Sequence, residues 1–471
     1  MKDELQEFER YLEHLGGGLG HADRQAGLRG YCIGLMAPLA RKSVEPMAAH
    51  LAPQATRSRH QSLHHFVAQS SWSDEEMLRR VAQWVVPAMD FGDGGWWIVD
   101  DTGFPKQGEH SVGVARQYCG MLGKQDNCQV AVSVSLACLA GSLPTAWQLY
   151  LPQQWADDMA RREKAGVPEN VSFATKWQIA QAQIEHLVEQ GAPKHTVLAD
   201  AGYGVVTAFR EGLTAMGLTY VVGVTGQVTV WPPGHAPLAP RPRSGRGVVA
   251  TRQRLGDARH ERPLSVKEVA LGLEPTQWQS IEWREGTNFT LRSRFARVRV
   301  HAAHREHLRT EQRAQEWLLI EWPEGHEEPM KYWLSTLAED ITLERMVFEA
   351  KMRWRIERDY QDLKQDLGLG HYEGRNWRGF HHHASLAIAA YGFLMAQQLR
   401  HPEGGGKKNS ARSEEPALPT HYKPRGSPAH AAPRPIVDHN FAAAYRRSLA
   451  QDAAALPMLP ARKRENSFMT Q

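Results

Sequence analysis

The stretch Trp96-Trp97-Ile98-Val99-Asp100-Asp101-Thr102 decides the predicted fold. Four apolar residues that end at two acids are typical of a buried strand that finishes at the polar edge of a sheet. Residues 129–136 alternate between apolar and small or polar side chains, as one-face-buried strands do. Residues 196–199, followed by Asp200, and residues 219–224 are further apolar runs of strand length. With helices predicted between them, these strands indicate an α/β fold, a mixed sheet flanked by helices.

The character of the sequence changes along the chain, and the changes predict five segments. A capping box, Ser73-x-x-Glu76, and helical spacing of apolar residues predict helices before the first strand. A stretch rich in Pro, Gly and Arg, followed by short strand-like pieces, predicts a β-rich insertion, after which a long helix begins near Thr342. The predicted boundaries are 1–90 for an N-terminal helical domain, 91–224 for the first part of the core, 225–335 for the β-rich insertion, 336–400 for the C-terminal part of the core and 401–471 for a flexible basic tail.

The composition is that of an ordinary soluble enzyme. Of 471 residues, 42% are hydrophobic and 23% are charged, and the net charge is +4. No apolar run reaches the length of about 18 residues that spans a bilayer, and no secretory signal is visible, so we expect a cytoplasmic protein with no membrane partner. The four cysteines lack the spacing of a zinc site or a disulfide scaffold. The mildly basic balance permits nucleic-acid binding without requiring it.

Three distant acids stand where chemistry would be placed. Asp101 ends the first strand, Asp200 ends a later strand, and Glu357 lies on the long helix. Such carboxylates can converge and hold two Mg²⁺ ions about 4 Å apart, an arrangement suited to phosphodiester chemistry. Asp100 competes with Asp101 for the first position, because adjacent strand residues point to opposite faces. The alternative is that each acid is only a strand-end turn residue or a helix N-cap.

Three uninterrupted strings carry a resemblance to a known family. Val99–Lys106, Ser111–Gly120 and Asn127–Val132 resemble transposases of the insertion-sequence 701 family, and the resemblance runs from about residue 20 to residue 400. These are DDE enzymes with a ribonuclease-H-like catalytic core. The resemblance therefore implies a ribonuclease-H-like fold, an acidic triad of Asp101, Asp200 and Glu357, and two Mg²⁺ ions, for which Mn²⁺ can substitute. We favour Asp101 over Asp100 because related families have the acid directly before a threonine.

Several cations accompany the predicted triad. Arg353 and Lys364 fall on the same helix face as Glu357 and are predicted to bind DNA phosphates. The wider insertion-sequence group has a similar signature here, Tyr-x2-Arg-x3-Glu-x6-Lys. In this chain Ala350 stands in place of the tyrosine, so the signature leaves open whether the DNA ends form a hairpin intermediate. Lys106, Arg116 and Lys124 follow the first strand and are further predicted phosphate ligands. Solvated surface charges are the alternative interpretation.

The function implied by the resemblance is cut-and-paste DNA transposition. A metal-activated water would hydrolyse a phosphodiester at each transposon end, and the freed 3′-hydroxyl would attack target DNA. The expected partners are the terminal inverted repeats and target DNA, bound by a homodimer or higher oligomer, with the helical N-terminal domain contributing to DNA binding. Two alternatives are a catalytically inactive or domesticated DNA-binding protein derived from a transposase, and a glycosidase-type hydrolase that uses two acids.

Overall fold

The computed structural model describes residues 2–240, 245, 253, 262–285, 290–303 and 313–401. The predicted basic tail from residue 402 onward lies outside the described residues, as do parts of the predicted insertion. Among the described residues, no helix has the length and apolar character needed to cross a membrane.

Six strands form the centre of the fold. The first strand along the chain lies at the centre and pairs antiparallel with the third strand and parallel with the fifth. The fifth strand runs parallel to the sixth. The second and fourth strands both pair antiparallel with the third. The strands are β1 (Trp96–Pro105), β2 (Ala115–Cys119), β3 (Lys124–Ala137), β4 (Ser142–Leu149), β5 (Thr196–Ala199) and β6 (Tyr220–Val224). The order β4-β3-β1-β5-β6, with antiparallel strands first and parallel strands last, confirms the ribonuclease-H-like α/β class.

The strands predicted for the insertion continue the same sheet. A small pair, β7 (Thr229–Val230) and β8 (Leu264–Ser265), precedes four longer strands, which are β9 (Gln279–Glu285), β10 (Thr290–Val300), β11 (Glu316–Trp322) and β12 (Lys331–Ser335). The last of these, β12, pairs antiparallel with β6, and the path then runs outward through β11 and β10 to β9. The four longer strands lie beside the core strands in one ten-stranded sheet, whereas β7 and β8 form a separate two-stranded sheet.

Helices cover the sheet. The N-terminal region is helical, as predicted, and packs with α14 against β4, so one hydrophobic core runs through both regions. Nearly every side chain of α14 from Trp377 to Gln397 is buried. The helices are α1 (Lys2–Gly16), α2 (Asp23–Met36), α3 (Val44–Leu51), α4 (Thr56–Ala68), α5 (Asp74–Val85), α6 (Gln153–Ala156), α7 (Met159–Ala165), α8 (Lys176–Glu189), α9 (Ala201–Gly204), α10 (Thr207–Ala215), α11 (Val266–Leu271), α12 (Leu343–Lys351), α13 (Trp354–Gln365) and α14 (Trp377–Arg400).

The single long helix predicted from Thr342 is wrong, because the structure breaks it into α12 and α13. Around Met352 the backbone bonds span three residues instead of four, as in the bond from the Met352 N–H to the Glu349 carbonyl. This tighter turn separates two anchored side chains. Lys351 pairs with Glu321 of β11, whereas Arg353 pairs with Asp100 of β1. The break therefore orients α13, which carries Glu357, independently of α12.

Candidate active site

The middle of β1, the end of β5 and one face of α13 surround a cavity of about 810 Å³. Its walls include five of the residues predicted from the sequence, together with the competing aspartate: Asp100, Asp101, Asp200, Arg353, Glu357 and Lys364. The sheet topology explains why they meet. β1 and β5 are adjacent and parallel, so Asp100 and Asp101 on β1 lie beside Asp200, which directly follows β5. The prediction that Asp101 ends the first strand is wrong, because β1 continues to Pro105.

Asp100 and Asp101 turn in different directions, and the strand register shows how. Val99 pairs with Ala199, so Asp100 and Asp200 are the next residues on their respective strands. On the other side Asp100 pairs with Ser133, whose hydroxyl lies 2.7 Å from the Tyr360 hydroxyl of α13. Paired residues on neighbouring strands share a face. Asp100 is therefore on the face covered by α13.

Asp101 is turned toward α8 and α9 instead. Lys176, the first residue of α8, donates from Nζ to both Asp101 carboxylate oxygens at 3.2 Å. The hydroxyl of Tyr203 donates to Asp101 Oδ2 at 3.3 Å. The carboxylate of Asp101 thus has a cation and a phenol as partners, neither of which was singled out from the sequence.

Asp200 ends β5 and caps the short helix α9. Its Oδ1 accepts a hydrogen bond of 2.8 Å from the Gly202 backbone N–H. The chain turns sharply here, since Gly204 packs so closely on the Gly223 carbonyl of β6 that a Cβ atom would not fit. The capping role that the sequence offered as the alternative is therefore present, and the side chain still lines the cavity.

Arg353 links two of the acids. Its Nη1 donates to Asp100 Oδ2 and its Nη2 donates to Glu357 Oε1, both at 2.9 Å. The side chain of Glu357 is 64% exposed and faces the open side of the cavity. One guanidinium therefore bridges an acid from the sheet and an acid from the helix.

The acids influence one another through their charges. Burial raises the pKa of Asp100 to about 7, Arg353 opposes this rise, and the negative charges of Asp200 and Asp101 add to it. Burial lowers the pKa of Arg353, but the charges of Asp100, Glu357 and Asp200 more than offset this and hold it above its usual value. Asp100, Asp200, Glu357 and Arg353 are therefore one electrostatic group.

Two comparisons with known proteins bear on the family of this chain. Residues 14–290, more than half of the 471-residue chain, match the family model described as DDE superfamily endonuclease. The chain belongs to the DDE superfamily of endonucleases. It is also 32% identical over 193 residues to a protein of Microchaete diplosiphon named "Probable transposase for insertion sequence element IS701". That match covers 41% of this chain and 47% of the relative, so the chain aligns with about half of that protein's length. The resemblance stated from the three sequence strings is confirmed.

DDE superfamily endonucleases generally use divalent metal ions, and the donor set of this chain suits such ions. Three carboxylates provide the hard oxygen ligands that Mg²⁺ prefers. Within the described parts of the chain, however, no three potential ligand side chains come together closely enough to share an ion. The Arg353 guanidinium holds Asp100 and Glu357 instead.

The predicted phosphate ligands of this endonuclease divide into two groups. Lys364 lines the cavity and donates 3.0 Å from Nζ to the Gly103 carbonyl, and burial lowers its pKa to about 8. Lys106, Arg116 and Lys124 are absent from the cavity walls. Lys106 bonds the Tyr372 carbonyl, Lys124 pairs with Asp126, and Arg116 is exposed on β2.

Sequence reasoning missed several residues that line the cavity, among them Lys176, Tyr203, Tyr118 and Met121. A signal existed for Lys176, because Thr175-x-x-Gln178 is a capping box that predicts a helix beginning at Lys176. The others had no signal in the sequence, since their approach to the acids depends on how α9 and the β2–β3 hairpin pack.

Proposed function

We propose that this DDE superfamily endonuclease is a DNA transposase, which cleaves the ends of a mobile element and joins them to target DNA. One observation carries the proposal. An aspartate on β1, an aspartate directly after the neighbouring strand β5 and a glutamate from a packed helix line one open cavity, together with the cations Arg353 and Lys364. A phosphodiester backbone is anionic, so this combination of metal-binding acids and basic groups suits its cleavage.

We propose Asp100, Asp200 and Glu357 as the acids that would hold two Mg²⁺ ions, or Mn²⁺ in their place. When bound, such ions activate the attacking hydroxyl and neutralise the leaving oxygen. Asp101, which was favoured from the sequence, is the competing first acid. Asp100 is preferred because its register places it beside Asp200 and its carboxylate shares Arg353 with Glu357. Asp101 would then position Lys176 and Tyr203 at the cavity wall.

The basic residues would hold the DNA backbone. Arg353 would exchange its carboxylate partners for a phosphate when the acids take up metal, and Lys364 would contribute a second charge-assisted hydrogen bond. Arg116 and Lys124 are exposed on the hairpin formed by β2 and β3, where they would contact phosphates farther from the cleaved bond. Lys106 donates a hydrogen bond to the Tyr372 carbonyl, so it would have to release that carbonyl before it could bind a phosphate.

The remaining assignments concern assembly. The terminal inverted repeats and target DNA are the proposed partners, and the helical segment 1–90 is the proposed contributor to repeat binding. Two ends must be cut in one event, so we propose a homodimer or higher oligomer on DNA. Gel filtration of the protein with paired-end DNA checks this, and one protein molecule per two ends would contradict it.

The test uses purified protein, Mg²⁺ and duplex DNA that carries the repeats flanking the coding sequence. We expect D100N, D200N and E357Q to lower the cleavage rate by about 100-fold or more, because each removes a charged ligand. D101N is the matched control and should stay within about tenfold of the wild type, since its loss is limited to positioning Lys176.

The opposite ranking, an inactive D101N and an active D100N, would return the first position to Asp101. Cleavage that survives all four substitutions would refute the proposed site. Binding of the repeats without any cleavage by the wild type would instead favour the second function, a DNA-binding protein derived from a transposase.

A further inference from the structure

The tip of the β2–β3 hairpin exposes three large apolar side chains within five residues. Tyr118 is 58% exposed, Met121 is 47% exposed and Leu122 is 36% exposed. We refer to these three residues as the apolar rim. Isolated exposed apolar residues are common, but a cluster on one turn beside a polar cavity is a mark of an interaction site.

The apolar rim adjoins the acids. Tyr118 and Met121 line the same cavity as Asp100 and Glu357. The Lys364 Nζ atom lies 4.0 Å from the Met121 sulfur atom, so a cation proposed to hold a phosphate touches the rim. Apolar side chains and a cation therefore lie side by side at the cavity mouth, as the bases and phosphates of a nucleotide chain do.

The hairpin that carries the rim is anchored firmly. The Cys119 side chain is fully buried and packs with Cys128 and Val130 in a small cluster below the tip. Gly103 of β1 permits this approach, because a Cβ atom there would lie 2.8 Å from the Cys119 sulfur atom. The turn closes through hydrogen bonds from the Leu122 and Gly123 N–H groups to the Cys119 carbonyl. The rim is therefore held at a fixed place relative to the strand that carries Asp100.

Arg116 extends the pattern along β2. It is two residues before Tyr118 and both side chains are exposed, so they stand on the same face, roughly 7 Å apart along the strand. An aromatic ring beside a guanidinium suits a nucleotide whose base stacks while the neighbouring phosphate is bound. A duplex does not offer the face of an internal base, so only an unpaired or terminal base can stack there.

We propose that the apolar rim is a nucleobase-binding site, in which Tyr118 stacks on an unpaired base next to the cleaved phosphate and Met121 and Leu122 support that base. This rests on the proposed function, since it takes DNA as the substrate of the acidic cavity. Tyr118 is a positioning residue in this account. It fixes the strand relative to Asp100 and Glu357 without touching the reacting atoms.

The experiment combines protein variants with abasic DNA. Affinity for a repeat-bearing duplex with one unpaired nucleotide next to the cleaved phosphate is measured with EDTA present, and the cleavage rate is measured with Mg²⁺, for the wild type, Y118A, Y118F and M121A. Met159 is exposed on α7 and lies outside the cavity, so M159A is the matched control for M121A. Each protein is tested on intact DNA and on duplexes with a single abasic nucleotide scanned through the cleavage region.

Y118A should weaken affinity for intact DNA about tenfold, within the range that loss of base–aromatic stacking produces. Y118F and M159A should match the wild type. With an abasic nucleotide at the contacted position, wild type and Y118A should differ by less than about twofold, while abasic nucleotides elsewhere keep the tenfold difference.

Equal affinity of Y118A and wild type on intact DNA would overturn the proposal. So would a Y118A defect that persists at every abasic position, since a structural defect does not depend on which base is absent. A base-dependent difference in affinity, without any cleavage by the wild type, would support the apolar rim as a nucleobase-binding site and would refute the proposed transposase activity.

Discussion

The buried ion pair between Lys351 and Glu321 allows a quantitative prediction about the segment that leads to Glu357. The Lys351 Nζ atom lies 2.7 Å from Glu321 Oε1, and the two side chains are only 10% and 4% exposed. Nζ also lies 4.4 Å from the ring centre of Trp283 and 5.4 Å from those of Phe295 and Trp333. The pair therefore fastens the end of α12 to strands β9 to β12.

The magnitude follows from burial. Removing one member of a buried pair leaves the other charged and unpaired, at a cost of about 3–5 kcal/mol. K351M retains the apolar stem and its packing on the aromatic rings, so its loss reflects mainly the unpaired Glu321, with a smaller part from the lost contact of the ammonium with the rings. Burial lowers the pKa of Lys351 from 10.5 to about 8 despite the opposing charge of Glu321, a net penalty on the charged lysine of about 3 kcal/mol. The double variant K351M/E321L should therefore be at least as stable as the wild type.

Urea unfolding of the wild type, both single variants and the double variant measures these free energies. The sign of the pH effect gives a second readout. Between about pH 8 and pH 10.5 the unfolded chain binds a proton that the folded chain lacks, so wild-type stability should rise with pH by up to about 3 kcal/mol, and K351M/E321L should lack this rise. A K351M cost below about 1 kcal/mol, or a double variant no more stable than K351M, would refute the reasoning.

Two other predictions concern packing and pH. Gly204→Ala should lower the free energy of unfolding by about 1–3 kcal/mol and lower the cleavage rate, because the added Cβ meets the Gly223 carbonyl and displaces the turn after Asp200. Gly108→Ala, where no atom lies near the added Cβ, is the control in urea unfolding and cleavage assays. Equal behaviour of the two variants would contradict the packing argument. Burial lowers the pKa of His383 to about 4, so the folded chain resists protonation that the unfolded chain accepts, and stability should fall by about 3 kcal/mol as pH drops from about 6.5 to 4. H383N should lose that part of the pH dependence in unfolding titrations while exposed-site H50N keeps it, and an unchanged slope in H383N would count against the assignment.

Much of the fold could be predicted from local patterns. The strands at residues 96–102 and 196–199 carry their own signal in apolar runs that end at acids, and α8 is marked by its capping box. β4 (Ser142–Leu149) was missed, since Pro144 and Trp147 interrupt any simple alternation. The break at Met352 could not be predicted either, because it depends on partners of Lys351 and Arg353 that lie far away in sequence.

The candidate site shows the same division. Context and family resemblance brought Asp200 and Glu357 forward, but they left Asp100 and Asp101 as competing candidates, and the preference proposed for Asp100 rests on the register between β1 and β5. A shift of one residue exchanges the faces of a strand, and no local pattern distinguishes two adjacent aspartates. The run His381-His382-His383 illustrates the converse, since three histidines in sequence prove to be buried side chains bonded to backbone carbonyls and the Tyr31 hydroxyl.

The continuity of the sheet from β6 to β12 has a consequence for anyone who shortens this protein. Excising Gln279–Trp322 would leave β12 as a bare border, with the N–H and C=O groups that now bond to β11 open to any extended chain. We expect such a truncated protein to aggregate through this exposed strand edge. Truncation for crystallisation or delivery is better directed at the segment after Arg400.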